Sequence, residues 1–213
     1  MANIAIFHHH PYCSDDCTNG MKTALGYEHH ITLFGVNDLS EEFLKKHDVV
    51  AFPGGLGDVD KFGQIFHWRQ ALAIENYVKS GGKYLGICMG AYWAGKEYFD
   101  LLKDLEPVQY IKQNDAIVRR SYGTTIPVTW DYTTEFMFFY DGCCFNGDTF
   151  NTKVVGFYPN GRPAAIIQGN LGLIGPHPES QQSWYKQFKC MGKYWHEERH
   201  HELLREFVRD LLS

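Results

Sequence analysis

The 213-residue sequence has no apolar run approaching the roughly 20 residues that a spanning helix requires, so a helical membrane protein is not expected. It has no excess of positive charge either. Twenty Lys and Arg against 25 Asp and Glu leave a net −5, which lacks the clustered cationic footprint of a nucleic-acid binder. Internal repeats and low-complexity linkers are missing, which argues against a solenoid or a chain of tethered modules. The opening Met1-Ala2-Asn3-Ile4-Ala5-Ile6-Phe7 lacks a basic region and a long apolar stretch, so no secretory leader and a cytoplasmic location are expected. With 44% hydrophobic residues, 15% aromatics and 21% charge, the chain has enough apolar mass for a core and is neither disordered nor fibrous. This length suits one domain over residues 1–213, with a helical tail from about 181.

Cysteine is not scarce. Six are present, but a chain able to bury its own core, with nothing directing it to an oxidising compartment, is expected to keep them mostly as free thiols.

The first hundred residues alternate short apolar runs with amphipathic stretches. Asn3–Phe7, His30–Val36, Val49–Phe52 and Tyr84–Cys88 read as strands, the last three continuous enough to be covered on both faces. Phe62, Ile65, Phe66, Leu72, Ala73, Tyr77 and Val78 predict one helix that stops at Ser80-Gly81-Gly82, and Ser40 is a plausible cap for a short helix over Glu41–Lys46. This alternation predicts an α/β fold with a mainly parallel sheet and helices on both faces. After about residue 105 the segments Ile126–Trp130, Phe136–Tyr140, Val154–Tyr158, Ala164–Gln168 and Gly172–Gly175 predict antiparallel strands that finish or extend the sheet in the C-terminal half, with Asn160-Gly161 as a hairpin turn. Trp184, Phe188, Met191 and Trp195, then Leu204, Phe207, Val208 and Leu211, predict the helical tail.

The chemistry concentrates at Gly86-Ile87-Cys88-Met89-Gly90. A nucleophile elbow needs an apolar strand, a tight turn and glycines two residues either side of the reactive group, and here Cys88 occupies the central position. A helix starting just after Cys88 would favour its thiolate, and the Met89 N–H would face a developing oxyanion. The plainer alternative is a buried cysteine before an ordinary strand-to-helix turn. In Gly175-Pro176-His177-Pro178-Glu179 the prolines hold the segment extended, so His177 and Glu179 project to one side as a base and its orienting carboxylate. A rigid surface turn is the alternative. Pro53-Gly54-Gly55 follows a strand end, where Gly55 is a candidate second oxyanion donor and Gly54 a candidate substrate contact.

Taken together, Phe52-Pro53-Gly54-Gly55, the run Gly81-Gly82-Lys83-Tyr84-Leu85-Gly86-Ile87-Cys88-Met89-Gly90-Ala91-Tyr92, the segment Tyr140-Asp141-Gly142-Cys143-Cys144-Phe145 and Gly175-Pro176-His177-Pro178-Glu179 resemble the class I glutamine amidotransferase superfamily. Within it they are most similar to the domain at the N-terminus of eukaryotic biotin–protein ligases, as far as Glu179. The resemblance implies a flavodoxin-like, three-layer α/β/α fold. It also implies a triad in which Cys88 attacks a carboxamide carbon, His177 is general base and acid, Glu179 orients it, and Gly55 and Met89 form the oxyanion hole. Water would resolve a thioester. No synthetase partner and no biotin-transfer domain are visible in the sequence, so the triad carries over better than glutamine as the substrate. Neither a cofactor nor a metal is implied. A small-molecule substrate is the expected partner, with a homo-oligomer or another protein left open. A silent binding module and a cysteine peptidase on a related scaffold are the alternatives.

His8-His9-His10 and Cys13-Ser14-Asp15-Asp16-Cys17 offer zinc-type donors, but adjacent side chains in an extended run face opposite ways, and a polar loop over the pocket is the simpler reading. His10 and Tyr92 are candidate substrate contacts. Tyr92 and Trp93 otherwise read as core aromatics, and Asp58 and Asp60 as loop acids near the site. Cys143 and Cys144 read as packed or half-exposed, Cys190 as core, and His196, His200 and His201 with Glu197, Glu198 and Glu202 as a solvated helix face.

Overall fold

The computed structural model describes residues 1–55, 61–187 and 190–213. The chain runs β1 (Asn3–Phe7), α1 (Asp15–Leu25), β2 (His30–Phe34), α2 (Glu41–Leu44), β3 (Val49–Phe52), α3 (Phe62–Ile65), α4 (Trp68–Lys79), β4 (Lys83–Ile87) and α5 (Met89–Tyr92). It continues with β5 (Leu105–Gln109), β6 (Thr124–Trp130), β7 (Thr133–Phe139), β8 (Cys143–Gly147), β9 (Lys153–Phe157), β10 (Pro163–Gln168), β11 (Leu171–Ile174), α6 (Gln182–Lys186) and α7 (Arg199–Leu212).

Nine strands form one sheet in the order β2-β1-β3-β4-β11-β10-β9-β6-β7. The pairs β2–β1, β1–β3, β3–β4 and β4–β11 are parallel, and every pair from β11–β10 onward is antiparallel. Strands β5 and β8 make a separate antiparallel ribbon.

Side chains alternate across each strand, so the central strands feed two cores. Ile4, Ile6, Val49, Ala51, Leu85 and Ile87 pack with Met21 and Leu25 of α1 and Leu204, Phe207 and Leu211 of α7. Ala5, Phe7, Val50, Phe52 and Tyr84 pack on the other face with Leu44, Ile74, Tyr77 and Trp93. The result is a three-layer α/β/α fold with the mainly parallel sheet and antiparallel C-terminal strands read from the sequence.

Several local expectations change. Strand β2 is the sheet edge and is mostly exposed, not covered on both faces, because only β1 flanks it. The helix over 62–79 is two helices: the chain is extended at Phe66 and His67, which shifts the phase of α4 relative to α3 and leaves Leu72 exposed. Residues 15–17 are not a loop but the first turn of α1, where Ser14 Oγ accepts from the Cys17 N–H at 3.3 Å and Asp15 and Asp16 complement the positive helix end. Ser40 caps α2 as expected, its Oγ accepting from the Phe43 N–H. The tail divides into α6, a single turn over Gly192–Tyr194 and α7. Phe188 lies outside the described residues.

Cys190 is exposed rather than in the core, and Cys143 and Cys144 are both fully buried; all six cysteines are free. The histidines near the C-terminus are not a solvated face. His200 and His201 are buried, because α7 turns that side toward the carbonyl of Ser180, which accepts from His201 Nε2 at 3.0 Å, and toward Glu135. Among the described residues no helix is long and apolar enough to cross a membrane.

Candidate active site

Parallel β3, β4 and β11 are adjacent, with Phe52 opposite Gly86 and Ile174 opposite Ile87. Their carboxyl ends therefore bring Gly54 and Gly55, Cys88, and His177 to one edge of the sheet, the edge at which open α/β folds bind ligands.

Cys88 has φ 51° and ψ −105°, a left-handed conformation that a non-glycine residue holds at a cost of order 1–3 kcal/mol. The backbone around it is fully engaged: its N–H donates to the Ile174 carbonyl, and its own carbonyl accepts from the Ala91 and Tyr92 N–H groups. The flanking glycines are required by close approach. A Cβ on Gly86 would lie 2.4 Å from the Gly90 carbonyl oxygen, and one on Gly90 would lie 2.0 Å from that of Phe52. The local geometry is thus a nucleophile elbow. The helix after it, α5, is only four residues long, so its dipole is a smaller influence on the thiol than the sequence led one to expect.

His177 lies in the segment after β11. Its N–H donates to the Phe138 carbonyl, and its ring meets Phe138 and Trp184 edge to face. Its Nδ1 is 2.8 Å from Glu179 Oε1, with His177 3% and Glu179 0% exposed. Burial pulls the imidazole pKa down, but the Glu179 carboxylate, then Cys88, and hydrogen bonds with the Cys17 and Cys88 thiols hold it well above the ordinary histidine value.

Cys88 and His177 open onto one cavity of ≈370 Å³, also lined by Ser14, Asp16, Cys17, Gly55, Met89, Tyr92, Gln109, Phe138, Tyr140, Asp141, Trp184 and Gln187. Its lining includes Asp16 and Asp141 and, among the described residues, no Lys or Arg. The Cys88 thiol donates to the Tyr140 carbonyl across 3.7 Å, and the Tyr92 hydroxyl to the Asp141 carbonyl at 3.2 Å.

Of the residues singled out from the sequence, Cys88, His177, Gly55, Met89 and Tyr92 line this cavity. Glu179 is sealed behind His177. Gly54 stands beneath it, where an added Cβ would lie 2.8 Å from both Cys17 Sγ and His177 Cε1. His10 is exposed and is not part of the wall. Trp93 is core, packed against Phe7, Phe52 and Phe66. Asp58 and Asp60 lie outside the described residues. Cys17, read from the sequence as a zinc-type donor beside His8–His10 in a polar loop, instead meets His177: its thiol is buried against the imidazole, and Cys17 Sγ, a His177 nitrogen and a Glu179 oxygen all lie within 4.8 Å of one another. The Ser14 cap, the acidic first turn and the spacing of Met21, Ala24 and Leu25 signal α1, and with it the inward direction of Cys17.

Residues 9–106 match the family described as "Biotin-protein ligase, N terminal". Over its whole length the chain superposes on solved glutamine amidotransferases. One, from Thermotoga maritima, gives a TM-score of 0.70 at 12% identity over 99% of this chain and 98% of that one. Another gives 0.68 at 15% identity over 98% of each. The chain has the class I glutamine amidotransferase-like fold, and its residues 9–106 are similar to the biotin–protein ligase N-terminal family. A Chlamydia muridarum protein described as uncharacterized is 31% identical over 158 residues, 62% of this chain. This chain spans about 60% of the length of that relative.

Proposed function

We propose that this glutamine amidotransferase-like chain is a cysteine-dependent amidase or amidotransferase acting on a small carboxamide through Cys88, His177 and Glu179. The observation that carries this reading is a strained cysteine elbow and a buried, carboxylate-oriented histidine opening on the same cavity.

In this reading Cys88 Sγ gives its proton to His177 and attacks the carboxamide carbon, and the C–S bond forms. The oxygen takes the negative charge facing the Gly55 and Met89 N–H groups. His177 gives a proton to the nitrogen, the C–N bond breaks and ammonia leaves. Water then attacks the thioester, losing a proton to His177; the C–S bond breaks, His177 returns that proton to the Cys88 sulfur, and the acid product ionises to a carboxylate. Glu179 holds the imidazolium in orientation throughout.

The cavity size, within the range of small-ligand pockets, and the 9% exposure of Cys88 favour a small substrate over a peptide laid along an open groove. The intact elbow favours turnover over a silent binding module.

The test is ammonia release from a panel of small primary carboxamides, glutamine among them. Wild type should turn over at least one, and Cys88→Ala and His177→Ala should each abolish that turnover. Full activity in Cys88→Ala would overturn the assignment.

A further inference from the structure

Cys17 has no part in that chemistry, yet its thiol lies against the same imidazole. It belongs to the first turn of α1, is 6% exposed, and shares with His177 and Glu179 a cluster whose donor atoms all lie within 4.8 Å. Thiolate, imidazole and carboxylate are together the donor set that zinc-class cations favour. A second observation points the same way. Glu179 uses Oε1 for His177, while its Oε2 is buried with no hydrogen-bond partner among the described residues. A buried carboxylate oxygen left unpaired is costly, and a cation beside it removes that cost. Access comes from the cavity, which Cys17, Cys88 and His177 all line and whose Asp16 and Asp141 carboxylates draw cations inward.

We propose that Cys17, His177 and Glu179 form a binding site for a zinc-class divalent cation, whose occupation ties up the imidazole that serves Cys88. On binding, the Cys17 thiol gives its proton to solvent. Water or the Cys88 thiolate completes the coordination. The same pocket would then exist in a metal-free, reactive form and a metal-bound, silent one. The silencing rests on the catalytic reading above; the binding does not.

The test is optical titration of the metal-free chain with Co²⁺, followed by displacement with Zn²⁺. Wild type should bind one equivalent and show a near-ultraviolet thiolate-to-cobalt band together with the visible bands of tetrahedral cobalt. Cys17→Ala and the near-isosteric Cys17→Ser should each lose that band and weaken binding roughly tenfold or more, while circular dichroism stays native. Cys88→Ala should keep the band. A variant carrying His8→Ala, His9→Ala and His10→Ala should also keep it, since those side chains are not in the cluster. No thiolate band in wild type, a band that survives Cys17→Ala, or binding lost only with the three N-terminal histidines would each overturn the proposal. A band in a chain whose metal-free form releases no ammonia would leave the metal site standing and remove the catalytic reading.

Discussion

His177 Nδ1 and Glu179 Oε1 are 2.8 Å apart, and both side chains are sealed from solvent. Two residues separated by one proline thus form a buried hydrogen-bonded pair, with His177 lining the cavity that holds Cys88. The folded imidazole is held well above its ordinary value despite burial, because Glu179 and then Cys88 favour its proton. That stabilisation is fully present below the unfolded histidine value of about 6.5 and is lost as pH rises through the higher folded value. Glu179→Gln should therefore cost about 3–5 kcal/mol near pH 6, and less in alkaline solution. Urea unfolding of both proteins at the two pH values measures this, and an equal penalty at both would contradict the pairing.

Gly54→Ala should damage the site without touching a reacting group. Its Cβ would lie 2.8 Å from Cys17 Sγ and from His177 Cε1, so one of them must move. A stability loss of about 1–3 kcal/mol is expected, with slower alkylation of Cys88. Gly63→Ala, whose Cβ meets nothing within 4 Å, is the control and should change neither.

Acid should loosen the packing of α7 well before it unfolds the central sheet. His196 and His200 stack with ring centroids 4.0 Å apart, and burial pushes their pKa values down to about 3 and about 2. Each stays neutral in the fold while the unfolded chain takes up a proton below about pH 6.5. His196, His201 and Arg199 add repulsion to any charge on His200, while Glu135, 3.3 Å from its Nε2, opposes it. Stability should fall by about 1 kcal/mol per group for each pH unit below that point. His200→Asn should flatten the slope in denaturant titrations between about pH 7 and about pH 5. An unchanged slope would contradict this.

The charge of the cavity wall makes a prediction about ligands. With Asp16 and Asp141 on the wall and no described cation, neutral iodoacetamide should modify Cys88 faster than anionic iodoacetate by more than it does for free cysteine. Mass spectrometry of the Cys88 peptide gives both rates. A ratio equal to that of free cysteine would mean the carboxylates do not act on the ligand.

What could be read from the sequence was local. The elbow at Cys88 depends on glycines two residues away, and the His177–Glu179 pair on prolines that hold the segment extended, so short strings sufficed for both. The central strands were legible because each carries apolar residues for two faces. Strand β2 misled because its composition is that of a covered strand while its neighbours in space leave one side open. Cys17 was hidden for a different reason: its meeting with His177 joins residues 160 positions apart and depends on how α1 crosses the sheet edge. His200 and His201 are buried because α7 docks against Ser180 and Glu135, a tertiary contact that the charge pattern of 196–202 conceals.

The most direct single measurement is the rate at which iodoacetamide modifies Cys88 near neutral pH in metal-free wild type and in His177→Ala, read by peptide mass spectrometry. The expected result is that Cys88 outpaces the other five thiols in wild type and slows by roughly 100-fold in the variant. Equal, ordinary rates in the two folded proteins would contradict the coupling of Cys88 to His177, and with it the proposed chemistry.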